Sequence, residues 1–318
     1  MTNVTRGRHD VGPGPVTTGH RTGYGRASGT FGELLQGVLP DDGRDFLVTL
    51  PISEFSAARF TPTGAGEPLT VIPAAKEKTR RLLLTMTAAC GYRGGGVLEL
   101  TSGLAEGKGL ASSSADLVAA ARAVADALGL PLEATAIEAL LRQIEPSDGV
   151  MYDGIVSYYH RESRLRERLG CLPRLTIVAV DEGGQVDTVR YNRSLRPRTD
   201  REKQEYAELL ATLTTAVRAH DLATVGMVAT RSAVLSTKVR PRPYLSPLVR
   251  IGREADALGL ALAHSGTVLG VLIAEHDPEH DAKLRQLTTA CRLLGGAVSV
   301  YTSSCLRDEC RPEESDAC

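Results

Sequence analysis

The sequence predicts an α+β fold in two domains, on two observations. Strand-like and helical segments follow one another in mixed order, and 318 residues exceed the roughly 150 of one typical domain. An apolar content of 42% is enough for ordinary buried cores.

Residues 1–24 are polar and glycine-rich and read as a flexible leader, with no apolar stretch of the kind a secretory signal needs. Strand-like residues then fill 46–52 (FLVTLPI) and 55–60 (FSAARF), and 97–101 (VLELT) alternates apolar with polar, so an early sheet is predicted. From Ala115 an apolar stripe through Leu117, Val118, Ala121, Val124, Ala125 and Leu128 stops at Gly129, with Pro131 just beyond. That is a helix with a glycine past its end. A second stripe through Ile137, Leu140, Leu141 and Ile144 ends where Pro146 disfavours helix at Glu145, which puts Glu145 at a helix-to-loop corner. Residues 175–180 (LTIVAV) read as a buried strand near the start of the second domain. An amphipathic helix follows over 203–220 through Tyr206, Leu209, Leu210, Leu213 and Val217. The remainder reads as helix 247–259, strand 268–274, helix 279–294 and strand 297–302, before an acidic tail from Arg307 that lacks an apolar face and is expected to be disordered.

Composition excludes several function classes. The 37 Lys and Arg against 38 Asp and Glu leave a formal charge of −1, so no basic field draws nucleic acid or an anionic membrane. No apolar run approaches the roughly 20 residues that span a bilayer. Six cysteines, at 90, 171, 291, 305, 310 and 318, are too scattered for a metal knuckle, and a chain this long needs no disulfide staples. A reducing cytoplasm is the expected location. Cys305 and Cys310 have no companion Cys/His pair and read as structural or incidental thiols.

Four segments carry chemistry. The first, EGKGLASSSAD at 106–116, is a Gly/Ser-rich loop directly before the helix from Ala115. Its small residues let backbone N–H groups approach a phosphate, and the helix start adds unpaired N–H groups and a positive dipole end. Lys108 supplies a charge, although the pattern is not that of a Walker loop. The competing reading is that Ser112, Ser113 and Ser114 only cap a helix. The second, EPSDGVMYD at 145–153, offers Glu145 and Asp148 to Mg²⁺, which with a nucleotide takes one or two carboxylates beside phosphate oxygens. A carboxylate here also orients or deprotonates an attacked hydroxyl; a solvated Asp-Gly turn is the bland alternative. The third, GTFGELLQG at 29–37, reads as a glycine-shaped connection or a substrate-contacting loop around Glu33. The fourth, AHSGTVLG at 263–270, suits close backbone approach to a ligand, with His264 equally a satisfied core histidine.

In this order the segments resemble the three motifs of the GHMP kinase superfamily. Residues 107–116, GKGLASSSAD, resemble its second motif, with Ala105 where the family has proline, and AHSGTVLG resembles its glycine-rich third. Within that superfamily GTFGELLQG, KGLASSSADL, EPSDGVMYDGI and DEGGQVDT are similar to the signatures of the L-threonine kinases associated with cobalamin biosynthesis. The likeness runs from about residue 27 to residue 303. It implies a two-domain GHMP kinase fold, an N-terminal ATP-binding domain at 25–170 and a ferredoxin-like C-terminal domain at 171–306. The tail would be 307–318.

Carried over, the resemblance implies that Gly107, Lys108, Gly109, Leu110, Ala111, Ser112, Ser113 and Ser114 surround the ATP phosphates. It implies Mg²⁺ on Ser113, Glu145 and Asp148, catalysis by Asp148 with Lys108, and substrate contacts from Glu33, Gln36, Ser265, Gly266 and Thr267. The implied activity is ATP-dependent phosphorylation of the L-threonine side chain to O-phospho-L-threonine. The alternatives are the same chemistry on another hydroxylated amino acid or small alcohol, and a non-catalytic ligand sensor with this fold. The partner expected is therefore a small molecule, not nucleic acid or membrane, with a homodimer left open. Threonine's carboxylate calls for an arginine or backbone donors, but 31 arginines against six lysines single out none.

Overall fold

The strand β1 (Gly23–Val38) is the spine of the molecule, pairing antiparallel with the 21-residue β2 (Asp45–Ala65) along nearly its whole length. In this computed structural model the described residues are 21–184, 197–237, 240–263 and 266–305. Of the expected leader, residues 1–20 lie outside them, but Gly23 and Tyr24 already belong to β1. The acidic tail from Arg307, His264, Ser265 and the second half of the DEGGQVDT segment, 185–188, also lie outside the described residues.

The glycine-rich segment 29–37 is strand, not connection: its glycines sit inside β1, where the register shifts three times, between Ser28 and Thr30, between Thr30 and Glu33, and between Glu33 and Leu35. Bulges of this kind bend a strand and re-aim its side chains. The expected strands 46–52 and 55–60 are one continuous β2. Beside it run β3 (Leu69–Ile72), β4 (Gly94–Ser102), β5 (Ile155–Tyr159) and β6 (Arg164–Gly170), with α1 (Glu77–Ala89), α2 (Ser112–Leu128) and α3 (Ala134–Leu141). The chain goes on through β7 (Leu175–Asp181), α4 (Asp200–Ala219), α5 (Leu222–Ser236), α6 (Leu245–Glu254), β8 (Gly259–Leu262), β9 (Val268–Ala274), α7 (His280–Arg292) and β10 (Ala297–Thr302). The strand path is β10-β7-β9-β8-β1-β2-β4-β3. Its first four strands run antiparallel in the order fourth, first, third, second, with helices in both crossovers. That is the ferredoxin-like arrangement expected for the C-terminal part.

α2 is the buried centre of the first half. Its Ala119, Ala120, Ala121, Ala123 and Val124 are all fully buried, and it packs across β1. This approach needs bare backbone on the strand. A Cβ on Gly23 would lie 2.2 Å from Ala127 N, and one on Gly25 would lie 2.1 Å from Ala119 O. A second apolar cluster, with Val178, Leu248, Leu260, Leu269 and Leu287, lies between the C-terminal sheet and α5, α6 and α7.

One expectation is overturned by this packing. Cys171, just past β6, and Cys305, just past β10, form a disulfide with Cα atoms 6.0 Å apart. The two flank the same end of the antiparallel pair β7 and β10, in which Thr176 faces Thr302. No spacing rule sees a pair 134 residues apart.

Candidate active site

The loop from Gly103 to Ala111 leaves β4 and enters α2 through Ala111, which holds a left-handed φ of 55°. A non-glycine residue pays for that conformation, so it marks a loop shaped by its surroundings. No side chain caps α2. The three serines are therefore not caps: they form the helix's first turn, and the N–H groups at that uncapped end point out of the helix.

Their hydroxyls instead receive the acidic segment. Ser113 donates to Glu145 Oε1, and the backbone N–H of Asp148 donates to Ser114 Oγ at 3.2 Å. Lys78 pairs with the other oxygen of Glu145. Glu145 and Asp148 thus sit together over the helix start. Burial, then the charge of Glu145, pushes the Asp148 carboxyl up to about 6 against a weaker opposing hydrogen bond from Ser114.

The loop is gripped from three sides. Thr30 and Gly32 of β1 donate to Leu110 O and Gly109 O, both at 3.2 Å, and Thr267 N donates to Lys108 O at 3.2 Å. A Cβ on Gly266 would lie 1.9 Å from Lys108 O, so only glycine fits there. Three separate glycine segments, 29–32, 107–110 and 266–267, therefore meet at one place. Lys108 does not stand free: its Nζ pairs with Asp181 Oδ2 at 2.6 Å and donates to Gly184 O at 2.9 Å. Asp181 also accepts from Thr267 Oγ1 at 2.5 Å and from Gly183 N at 2.9 Å. Burial alone would raise its carboxyl, but the hydrogen bonds from Lys108, Thr267 and Gly183 together hold it below the usual value. Glu33 and Gln36 are buried in β1, Glu33 facing Thr49 on one side and Leu262 on the other, and Gln36 N donating to Ser232 Oγ.

Sequence reasoning missed several members of this site. Asp116 is buried, taking Ser56 Oγ and Lys76 Nζ each at 2.5 Å, and Lys76 also pairs with Glu106 of the loop. Arg242, nearly fully buried, pairs with Glu182 at 3.1 Å and donates to Gly266 O and Ala263 O, bracing the third motif. One signal was available. Three of the chain's six lysines, Lys76, Lys78 and Lys108, belong to this site, in a protein that otherwise uses arginine.

Comparison with known proteins agrees with this geometry. Residues 74–160 match the family model for the GHMP kinases N terminal domain, a span that contains both the serine loop and the acidic segment. Residues 74–160 thus carry the likeness to the GHMP kinase N-terminal domain. It is 26% identical over 266 residues to an L-threonine kinase of Salmonella typhimurium, covering 80% of this chain and 84% of that one. It is 27% identical over 255 residues to an L-threonine kinase of Citrobacter freundii, covering 78% and 86%. A homoserine kinase structure from Cytophaga hutchinsonii superposes with a TM-score of 0.69 at 16% identity, over 91% of this chain and 96% of that one. The matched domain and the L-threonine kinase relatives support a phosphotransferase with an alcohol group as acceptor. Among the described residues no helix is long and apolar enough to cross a membrane, and no three His, Cys, Asp or Glu side chains group to hold a metal by themselves. A nucleotide-borne Mg²⁺ needs no such cage, since it takes only one or two protein carboxylates beside phosphate oxygens.

Proposed function

We propose that this kinase transfers the γ-phosphoryl group of ATP to the side-chain hydroxyl of L-threonine, giving O-phospho-L-threonine. The observation that carries the reading is the tie of two acidic residues to consecutive serines at the start of α2, Glu145 to Ser113 and Asp148 to Ser114. Similarity to L-threonine kinases over 80% of the chain supports the acceptor.

Residues 25–170 act as the ATP-binding domain and 171–306 as the C-terminal domain. The uncapped first turn of α2 and the loop before it fit a chain of phosphates, since backbone N–H groups there lack side-chain partners. Gly107, Lys108, Gly109, Leu110, Ala111, Ser112, Ser113 and Ser114 would line it. The oxygen donors of Ser113, Glu145 and Asp148 fit Mg²⁺, a hard cation, which when bound neutralises charge on the phosphates. Lys108, steadied by Asp181, brings a cation to the same loop. Glu33, Gln36, Gly266 and Thr267 would face the acceptor, with Ser265 outside the described residues.

Asp148 orients the threonine hydroxyl and accepts its proton as the new O–P bond forms and the bond to the departing ADP oxygen breaks. A carboxyl lifted to about 6 is still ionised at neutral pH and is a better base than an ordinary aspartate. The test is ADP formation with Mg²⁺ across L-threonine, L-serine, L-homoserine and simple amino alcohols, with mass spectrometry of the products. Preferential phospho-threonine is expected. Phosphorylation of another acceptor in preference, or ATP binding without turnover on any, overturns the reading.

A further inference from the structure

A cavity of about 230 Å³ lies beside the loop that carries Asp148. Its walls are Arg26 and Ser28 of β1, Arg122 of α2, Val150 and Asp153 of the acidic segment, and Ser304 after β10. Arg122 is the unusual member. It is half-buried in the middle of the most buried helix, and its guanidinium donates to two main-chain oxygens, Arg26 O at 2.6 Å and Met151 O at 3.0 Å. No carboxylate among the described residues lies within ion-pair distance of it; the acid that influences it is Asp153, at the rim. A guanidinium has five N–H donors in a planar fork, so two carbonyls leave donors for a planar anion. Burial already disfavours its charge, and a partly desolvated cation without a counter-ion gains most from an anion brought to it.

We propose that this cavity receives the carboxylate of the acceptor, with Arg122 as the residue that recognises it and the exposed Asp153 at the rim facing the ammonium group. The inference rests on the reading of the protein as an amino-acid kinase. A zwitterion needs a cation and an anion close together, and the Arg122 and Asp153 walls provide both. Val150 is two residues from Asp148, so the cavity adjoins the segment that carries the proposed base. Position also explains why no sequence motif disclosed it: Arg122 sits inside an alanine-rich helix, where it resembles any helical arginine.

The test compares L-threonine with L-threoninamide, in which the carboxylate is replaced by a neutral group, in the wild type and in Arg122→Gln, Arg122→Lys and Asp153→Asn. The wild type is expected to prefer the acid by at least tenfold in kcat/KM. In Arg122→Gln that preference should collapse to near unity with KM for MgATP unchanged, and Arg122→Lys should restore part of it. Asp153→Asn, at an exposed position, should raise KM for L-threonine and leave KM for its deaminated analogue 3-hydroxybutyrate unaltered. A merely structural Arg122 would lower turnover on acid and amide alike, and that result overturns the proposal. So does inhibition by inorganic phosphate competitive with L-threonine, which would make the cavity a site for free phosphate. Should Arg122→Gln fail to fold, equal use of acid and amide by the wild type overturns it equally. Failure of the function reading is separable. If another hydroxy acid is the preferred acceptor but its acid-over-amide preference still depends on Arg122, the cavity assignment stands and the threonine assignment falls.

Discussion

Asp148 is where local chemistry makes the sharpest demands. Its carboxyl is raised to about 6 by burial and by Glu145, so a step that needs it ionised should fail on the acid side. We expect kcat/KM to fall about tenfold per pH unit below about 6 and to level off above 7, and Asp148→Asn to remove most of the turnover while MgATP still binds. The same shift has a stability consequence of opposite sign. The unfolded chain loses this proton near 3.8 while the folded one keeps it to about 6, so stability declines as pH rises through that window and stays lower above it. Asp148→Asn should therefore melt at a higher temperature than the wild type at pH 8, read by thermal denaturation. Lys76 makes the contrasting case. Removing it in Lys76→Met leaves the buried Asp116 carboxylate with Ser56 as its remaining partner, and should cost about 3 kcal/mol in urea unfolding.

Among the elements, α2 and β1 depend on one another through glycine. The helix could be read directly from its stripe and its terminal Gly129, and the structure ends it at Leu128 with that glycine left-handed. β1 could not be read in the same way. Gly23 and Gly25 break the period-two pattern because they make room for α2, an approach that belongs to the fold and leaves no mark on neighbouring residues. Gly25→Ala, whose Cβ would meet Ala119 O at 2.1 Å, should lower stability by about 2 kcal/mol or more. Gly266→Ala is expected to behave differently. Its clash is with Lys108 in the loop proposed to hold the phosphates, so KM for ATP should rise at least tenfold in protein that still folds, measured by nucleotide titration alongside circular dichroism.

For the molecule as a whole, the strand path passes from β8 to β1 through one point of pairing, Glu33 to Leu262. Contacts across that seam then do much of the joining: Lys108 to Asp181, and Thr267 to the loop before α2. The disulfide closes a span of 134 residues, for which loop-closure entropy gives about 5 kcal/mol as an upper figure. Peptide mapping without reduction should recover the linked pair, and Cys171→Ser should lower the melting temperature. Recovery of both cysteines as free thiols from carefully oxidised protein would remove this clasp from the account.

The sequence by itself determined the α+β class, the principal helices and the serine loop. It also placed Glu145 and Asp148 in a turn after the helix that follows. Those features are local, set by periodicity, by glycine and proline, and by short spacing along the chain. Tertiary structure alone decided that residues 29–37 are strand, that Lys108 is held by Asp181, that Lys76 neutralises Asp116, and that Arg122 faces a cavity without a counter-ion. Each of these joins residues dozens of positions apart or more, or depends on how closely two backbones approach. The reason is physical: charge pairing and burial depend on distance in space, and one-dimensional spacing carries that distance only within a single turn or strand.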